Sequence, residues 1–264
     1  MELFKKVVWI TGASSGIGEA LAYEFNKKGT HLILSSRRIE ELTRVKEACI
    51  DHVDTVKILP LDLADTDELS GKVQEAISLF GSVDMLINNG GISQRAYAAD
   101  SNMETIRQLM EVNFFGTIAL TKAVLPFMIE QNSGHIVVIS SVMGKLGTKH
   151  RSAYAASKHA LHGWFDCLRQ EMYQHNIHVT LVCPGFVKTN ITVNALTADG
   201  EKYSRMEDAQ KKAMNPEEFA RKLLPKLAKE KEEVYIGGYE ILAVYMKRFF
   251  PGILNRILRR VKVT

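Results

Sequence analysis

Tyr154 and Lys158 stand four positions apart in Tyr154-Ala155-Ala156-Ser157-Lys158, on a stretch where Leu161, Trp164, Leu168 and Met172 recur at helical steps. Residues i and i+4 share a helix face, which brings a phenol beside an ammonium. A nearby cation favours phenolate and lowers a tyrosine pKa from its reference of about 10, the change a phenol needs for acid–base work. The spacing alone also describes an ordinary surface pair, so the surroundings matter. Ser140-Ser141 closes an apolar run over 136–142, and Ser141 precedes Tyr154 by 13 residues. At the carboxyl end of a predicted strand, its hydroxyl can hold a substrate oxygen within reach of Tyr154. Asn113, in Asn113-Phe114-Phe115-Gly116, interrupts a long apolar helical stretch where asparagine is a poor helix former. It either holds a water or a distorted turn, or is a core asparagine satisfied by backbone.

A second set of residues suits an anion. Thr11-Gly12-Ala13-Ser14-Ser15-Gly16-Ile17-Gly18 lies where a first strand should turn into a first helix. Glycines at 12, 16 and 18 permit a tight turn and a close backbone approach to a pyrophosphate at the helix N-terminus. The candidate binding segment is Gly12, Ser14, Ser15, Gly16, Ile17 and Gly18, and its strand–turn–helix setting is what gives it weight. Ser36-Arg37-Arg38 follows the second strand, about 20 residues farther on, where an NAD site usually has a carboxylate for the ribose 2′-hydroxyl. Ser36 can donate to a 2′-phosphate and Arg37 can form charge-assisted bonds to it, so NADP(H) is favoured over NAD(H). The competing reading leaves both arginines solvated at a strand end. Asp62-Leu63 closes the third strand, where the carboxylate can accept from an adenine amino group. Asn88-Asn89-Gly90-Gly91 ends the fourth, and Asn89, Gly90 and Gly91 allow another close backbone approach.

These residues need a frame, and the pattern supplies one. Continuous apolar runs over 7–10, 31–35, 56–60, 85–88, 136–140, 179–183 and 234–236 suit strands covered on both faces. Amphipathic stretches over 18–28, 40–50, 65–80, 105–131, 155–175 and 216–229 alternate with them. The alternation predicts an α/β fold of the Rossmann type: a doubly wound, mostly parallel sheet of seven strands with helices on both faces and ligands at the strands' carboxyl ends. The 264 residues read as a single domain. The long connection over 186–215 is a candidate substrate lid.

Composition narrows the classes. Hydrophobic residues make up 46% and charged residues 24%, as in an ordinary globular chain. Cys49, Cys167 and Cys183 show no paired spacing and read as small buried residues, with neither disulfide framework nor zinc ribbon. His159/His162 and His175/His178 are i,i+3 pairs without an evident third ligand, so they read as helix-surface or capping residues and no metal site is expected. The absence of GxSxG leaves a nucleophile-elbow hydrolase unsupported. The opening residues run directly into the first strand, and no stretch shows about 18–20 consecutive apolar residues, so a cytoplasmic location is expected.

The motifs TGASSGIG, NNGG, NFFG, SS…YAASK and PG…T, in this order over roughly 5–190, resemble the short-chain dehydrogenase/reductase family in its short single-domain branch. The resemblance implies a catalytic tetrad of Asn113, Ser141, Tyr154 and Lys158, with Tyr154 and Lys158 also touching the cofactor. It implies further that Pro184, Gly185 and Thr189 border the nicotinamide. Gly90 departs from the family, which usually has alanine there. The implied reaction interconverts a carbonyl and a secondary or primary alcohol, Tyr154 moving the proton. Lys158 would depress its pKa and bind ribose hydroxyls, Asn113 would support a water, and Ser141 would orient the carbonyl. A homodimer or homotetramer packed through helices 105–131 and 155–175 is implied too. The segment 233–251 resembles, more weakly, a subgroup with lipophilic substrates. Two other readings stand beside this one: a cofactor-binding scaffold without turnover, and a reductase of carrier-bound acyl chains.

Pocket candidates are Gln94, Arg95, Tyr97, Val142, Met143, Leu146 and Phe186, with lid residues Tyr203 and Met206; their mainly apolar character suits a lipophilic substrate. The tail over 239–264 is basic and amphipathic. From Tyr245 onward it holds Lys247, Arg248, Arg256, Arg259, Arg260 and Lys262 and no acid, so the other 244 residues carry net −2 of the chain's +4. A nearly neutral body argues against nucleic acid as a partner. Tyr245, Met246, Phe249, Phe250, Ile253, Leu254, Ile257, Leu258 and Val261 can draw one apolar face, interrupted at Pro251-Gly252. That face either packs on the pocket or a partner subunit, or makes a peripheral membrane contact.

Overall fold

The computed structural model describes residues 2–50, 52–205 and 213–260. Seven parallel strands form one sheet in the order β3-β2-β1-β4-β5-β6-β7. They are β1 Val7–Thr11, β2 His31–Ser35, β3 Val56–Ile58, β4 Met85–Asn88, β5 Gly134–Ile139, β6 Ile177–Pro184 and β7 Glu233–Ile236. All five residues of β1 are buried, which explains the unbroken apolar run. Successive side chains point to opposite faces of a strand. Val8 and Ile10 accordingly enter one core layer while Val7 and Trp9 enter the other.

The first layer is covered by α1 Gly16–Asn26, α2 Ile39–Glu47 and, beyond the single turn α3 His52–Thr55, by α8 Pro216–Ala228. Phe25, Leu42, Phe219 and Leu223 fill it. The second is covered by α4 Leu69–Phe80, α5 Met103–Met110, α6 Gly116–Glu130 and α7 Ser152–Met172. Val73, Leu120, Val124 and Phe165 fill that one. Each fully buried side chain of this kind contributes about 1.5–3 kcal/mol. The helix pair α9 Glu240–Phe249 and α10 Pro251–Arg260 closes the described chain.

The boundaries depart from the sequence reading at particular points. The third strand stops at Ile58, and turns fill the way to α4, which begins at Leu69 rather than 65. The stretch 105–131 is not one regular helix. Between α5 and α6, residues Glu111–Phe115 widen into a π-turn, the kind of bulge that accumulates at functional sites. Asn113 sits inside it, so the distorted turn is the outcome at that position. The run Met103–Glu130 is long and apolar enough to cross a membrane by length and composition, contrary to the expectation that no stretch would be. Half of its most apolar window is buried in the protein, and Leu109, Leu120, Val124 and Met128 are core residues. Cys49 and Cys183 are buried as expected, but Cys167 is exposed because it lies on the solvent side of α7.

Candidate active site

The carboxyl ends of β1, β4, β5 and β6 converge on one groove. After β1 the chain turns through Gly12 and Gly16, both at left-handed φ near 63° and 62°. Any side chain at Gly18 would collide with the carbonyl of Gly12, so only glycine lets α1 begin this close to the strand. Asn89 ties the loops together: its Nδ2 donates to the carbonyls of Thr11 (3.0 Å) and Gly12 (3.2 Å). Gly90 N donates to Thr11 Oγ1 at 2.9 Å. Ser15, the N-cap of α1, makes no side-chain cap bond, so the first-turn amides are left for an anion. Thr189 packs against Gly16, and Ile17, Asn89, Gly91, Pro184 and Gly185 all line the adjoining cavity. The Gly90 departure has a physical counterpart, since the space of a methyl there is taken by the side chain of Leu63.

The two arginines after β2 take different positions. Arg37 projects outward and pairs loosely with Asp62, 3.8 Å away. Arg38 instead folds over the glycine loop, its guanidinium donating to Ser14 Oγ (2.9 Å) and Ser15 Oγ (3.1 Å). Ser36 Oγ accepts from Arg38 N at 3.1 Å and so shapes this turn. Arg44 buttresses the same loop through Glu19 at 2.7 Å. Arg38, the N-cap of α2, is the arginine that the backbone turns toward the loop.

Ser141, Tyr154 and Lys158 do come together. Ser141 ends the segment after β5 and accepts from Met143 N at 3.1 Å. Tyr154 opens α7, is buried, and stands beside Ser141. Burial raises the Tyr154 pKa above its ordinary value, opposed by the neighbouring Ser141 hydroxyl and by the positive fields of Arg95 and Arg151. Lys158 Nζ lies 5.9 Å from the Tyr154 ring centre and donates to the carbonyl of Ile139 at 2.8 Å. Its own burial lowers its pKa to about 8.

Asn113 serves as a clamp. Its Oδ1 accepts from Ile92 N (2.8 Å), and its Nδ2 donates to Ile92 O (2.9 Å) and Ser157 Oγ (3.0 Å). The loop after β4 is thereby fixed to the helix that carries Tyr154 and Lys158.

A cavity of about 480 Å³ opens in front of Tyr154. Arg95, Val142, Met143, Leu146 and Phe186 line it as expected. Gln94 does not: it is buried and spends its amide on Ala153 N and Ser101. Tyr97 is exposed and packs on His150, and Tyr203 lies away from the lining. Met206 is outside the described residues. The far wall was not foreseen in detail. Leu242, Ala243, Met246, Leu254, Ile257 and Leu258 of α9 and α10 close it. Glu240 anchors this wall, its Oε1 accepting from Phe186 N (2.9 Å) and Gly238 N (3.0 Å). The signal was the acid two residues after Gly237-Gly238. Arg151, three residues before Tyr154, was also missed.

His162 is a further correction. It is buried beneath the site, with Nε2 3.1 Å from Ser140 Oγ, because the face of α7 that carries it docks on β5 and β6. His162, Cys183 and Glu233 bring donor atoms within 4.8 Å of one another. Lys145 Nζ already stands 2.7 Å from Glu233 and supplies the positive charge there. Burial holds His162 neutral down to about 4 and pushes the Cys183 thiol up to about 12.

A parallel doubly wound sheet with this groove and a buried tyrosine–lysine–serine group defines a nicotinamide-dependent oxidoreductase. The sequence profile described as short chain dehydrogenase matches residues 6–200. The chain is 42% identical over 259 residues to dehydrogenase/reductase SDR family member 7B of Bos taurus, covering 96% of this chain and 80% of that protein. It is 41% identical over 256 residues to family member 7 of Homo sapiens, covering 95% and 76%. Among solved structures, a short-chain dehydrogenase from Streptomyces avermitilis superposes with a TM-score of 0.79 at 29% identity, covering 96% and 93% of the two chains. A short-chain dehydrogenase/reductase from Burkholderia phymatum in complex with NAD shares the fold, with a TM-score of 0.85 at 24% identity and 96% of each chain covered. The chain belongs to the short-chain dehydrogenase/reductase family.

Proposed function

We propose that this protein is an NADP(H)-dependent oxidoreductase interconverting a lipophilic carbonyl compound and its secondary or primary alcohol. The observation that carries the reading is the cavity, whose apolar walls converge on Tyr154 and Ser141. Arg38 over Ser14 and Ser15 supports the choice of cofactor, since a guanidinium beside the glycine loop can neutralise a 2′-phosphate where NAD sites carry an acid.

The glycine loop, Ser36, Arg38, Asn89 and the Pro184–Thr189 segment would hold the cofactor, whose nicotinamide supplies the hydride. Ser141 Oγ holds the substrate oxygen and Tyr154 Oη gives it the proton. Because burial raises the Tyr154 pKa, the phenol keeps its proton through neutral pH and is ready to act as the acid. Arg95 and Arg151 stabilise the phenolate left behind. Lys158 is placed to restore the proton, its pKa of about 8 lying close to neutrality. Asn113 keeps Lys158 and Tyr154 aligned through Ser157.

Three free cysteines, two of them buried, suit a reducing cytoplasmic setting. The exposed Phe115 on the α5–α6 run supports self-association through that helix into a dimer or tetramer.

The test is a series of straight-chain aldehydes and ketones reduced with NADPH and with NADH. Specificity with NADPH is expected to rise up to about fourfold per added methylene until the cavity is filled, following roughly 0.8 kcal/mol per buried CH₂. A profile flat with chain length removes the lipophilic substrate, and equal use of NADH removes the cofactor assignment.

A further inference from the structure

We infer that the α9–α10 helix pair is a membrane-docking gate, which seats the mouth of the cavity against an anionic lipid surface and admits the substrate from it. The inference rests on the lipophilic-substrate reading and adds where the substrate comes from.

The pair has two apolar faces, and only one is used inside the protein. Met246 and Leu254 turn inward onto the cavity, and Leu254 is fully packed. On the outer side Phe249, Phe250 and Ile253 are 69%, 60% and 53% exposed, three large apolar residues together on the surface. Leu242 and Ile257 belong to both faces, lining the cavity while exposed to solvent. That places an opening of the cavity within the apolar outer patch. An alkyl chain leaving a bilayer at this patch would reach Tyr154 along an apolar path.

Charge selects the occupant. Lys247, Arg248, Arg256, Arg259 and Arg260 are all exposed on these two helices. Their acid, Glu240, is spent inward on Phe186 N and Gly238 N. An apolar patch ringed by cations and free of outward acids fits anionic headgroups over acyl chains. A second copy of this chain fits poorly, because a two-fold contact through this face would set five cations against the same five. Among the described residues, the helix pair's side-chain hydrogen bonds to the body are the one from Phe186 N to Glu240 at its start and a 3.1 Å bond from Lys149 Nζ to the Arg259 carbonyl near its end.

The full-length protein, sedimented with vesicles of phosphatidylcholine alone or mixed with phosphatidylserine, tests the inference. Wild type is expected to bind the mixed vesicles at least about tenfold better and to lose that advantage at high salt. Phe249→Ser with Phe250→Ser should release it from both. Arg248→Gln with Arg256→Gln and Arg260→Gln should abolish the difference between the two lipids without unfolding risk to any packed residue. All variants should reduce a short, water-soluble carbonyl at the wild-type rate, yet reduce a long-chain substrate presented in vesicles more slowly. Wild type that ignores anionic vesicles, or variants that bind as well as wild type, would overturn the gate. So would an oligomer that dissociates in the phenylalanine variant, which would assign the face to a second copy. Vesicle binding without any activity on apolar carbonyls would instead remove the substrate reading and leave the docking intact.

Discussion

The cofactor groove and the substrate wall of this enzyme are held together by different means. The groove is tied locally: Asn89, Thr11 and the glycines lock two strand ends to each other through backbone groups. The wall is assembled from pieces far apart in the chain. Phe186 follows β6, Met143 follows β5, and the other side arrives with α9 and α10. Its cohesion comes from apolar packing and from one carboxylate, Glu240. The half that handles what all such reactions share is rigid and polar. The half that chooses the substrate is greasy, and its outer face is open to solvent. Damage to the first should therefore destroy the reaction, whereas damage to the second should change what reacts and how well.

The largest effect expected is at the junction of the two. Tyr154→Phe keeps the buried ring and removes the transferable proton, so kcat should fall by roughly 10²- to 10⁴-fold. Cofactor affinity and melting temperature should stay near wild type, since the ring retains its packing. A steady-state assay paired with cofactor titration reads this, and activity within a few-fold of wild type would show that the proton comes from elsewhere.

A smaller effect separates the two arginines inside the groove. Arg38 reaches Ser14 and Ser15, whereas Arg37 makes an exposed pair with Asp62 at 3.8 Å. Arg38→Ala should reduce the preference for NADPH over NADH by roughly 10- to 150-fold, the worth of a charge-assisted contact of about 1.5–3 kcal/mol. Arg37→Ala should change it by no more than about fivefold, as expected where the charge stays in water. Titrating both cofactors into both variants checks the order, and the reverse order would return the role to Arg37.

The contrast between the halves also explains what could be read from sequence. Seven strands and their alternation with helices were legible because both faces of the sheet are covered, leaving continuous apolar runs. The glycine loop and the Tyr154–Lys158 spacing were legible because each is a short segment whose geometry is fixed by its own residues. His162 was misread because a residue's neighbours across the fold decide which way it faces. At i,i+3 spacing His162 matches a surface histidine, and only the docking of α7 on β5 and β6 buries it against Ser140. The π-turn at Asn113 left a trace, a polar residue in an apolar helix, but its form depends on Ile92 and Ser157, which lie 21 and 44 residues away.

Glu240 is where the two halves meet, so the smallest effect expected there is also the most discriminating. Its Oε1 accepts from Phe186 N, directly after the Pro184–Gly185 segment that lines the cavity, and from Gly238 N at the root of α9. Glu240→Ala removes both bonds and leaves the Phe186 amide half-buried without its acceptor, while Gly238 can turn to water. Losing such an acceptor costs about 1–3 kcal/mol. At roughly 2–4 °C per kcal/mol for a chain of this size, the melting temperature should fall by about 2–12 °C. The kinetic signature matters more than the loss of stability. If the wall is a separable unit, a loosened α9 should raise KM for a long apolar carbonyl about three- to tenfold, through lost burial equivalent to one or two methylenes. The affinity for NADPH and the kcat for a short carbonyl should stay within about twofold, because no group that holds the cofactor or the proton has moved. Should NADPH affinity fall as much as the long-chain KM rises, the groove and the wall would be one cooperative structure, and the division drawn between them would be wrong.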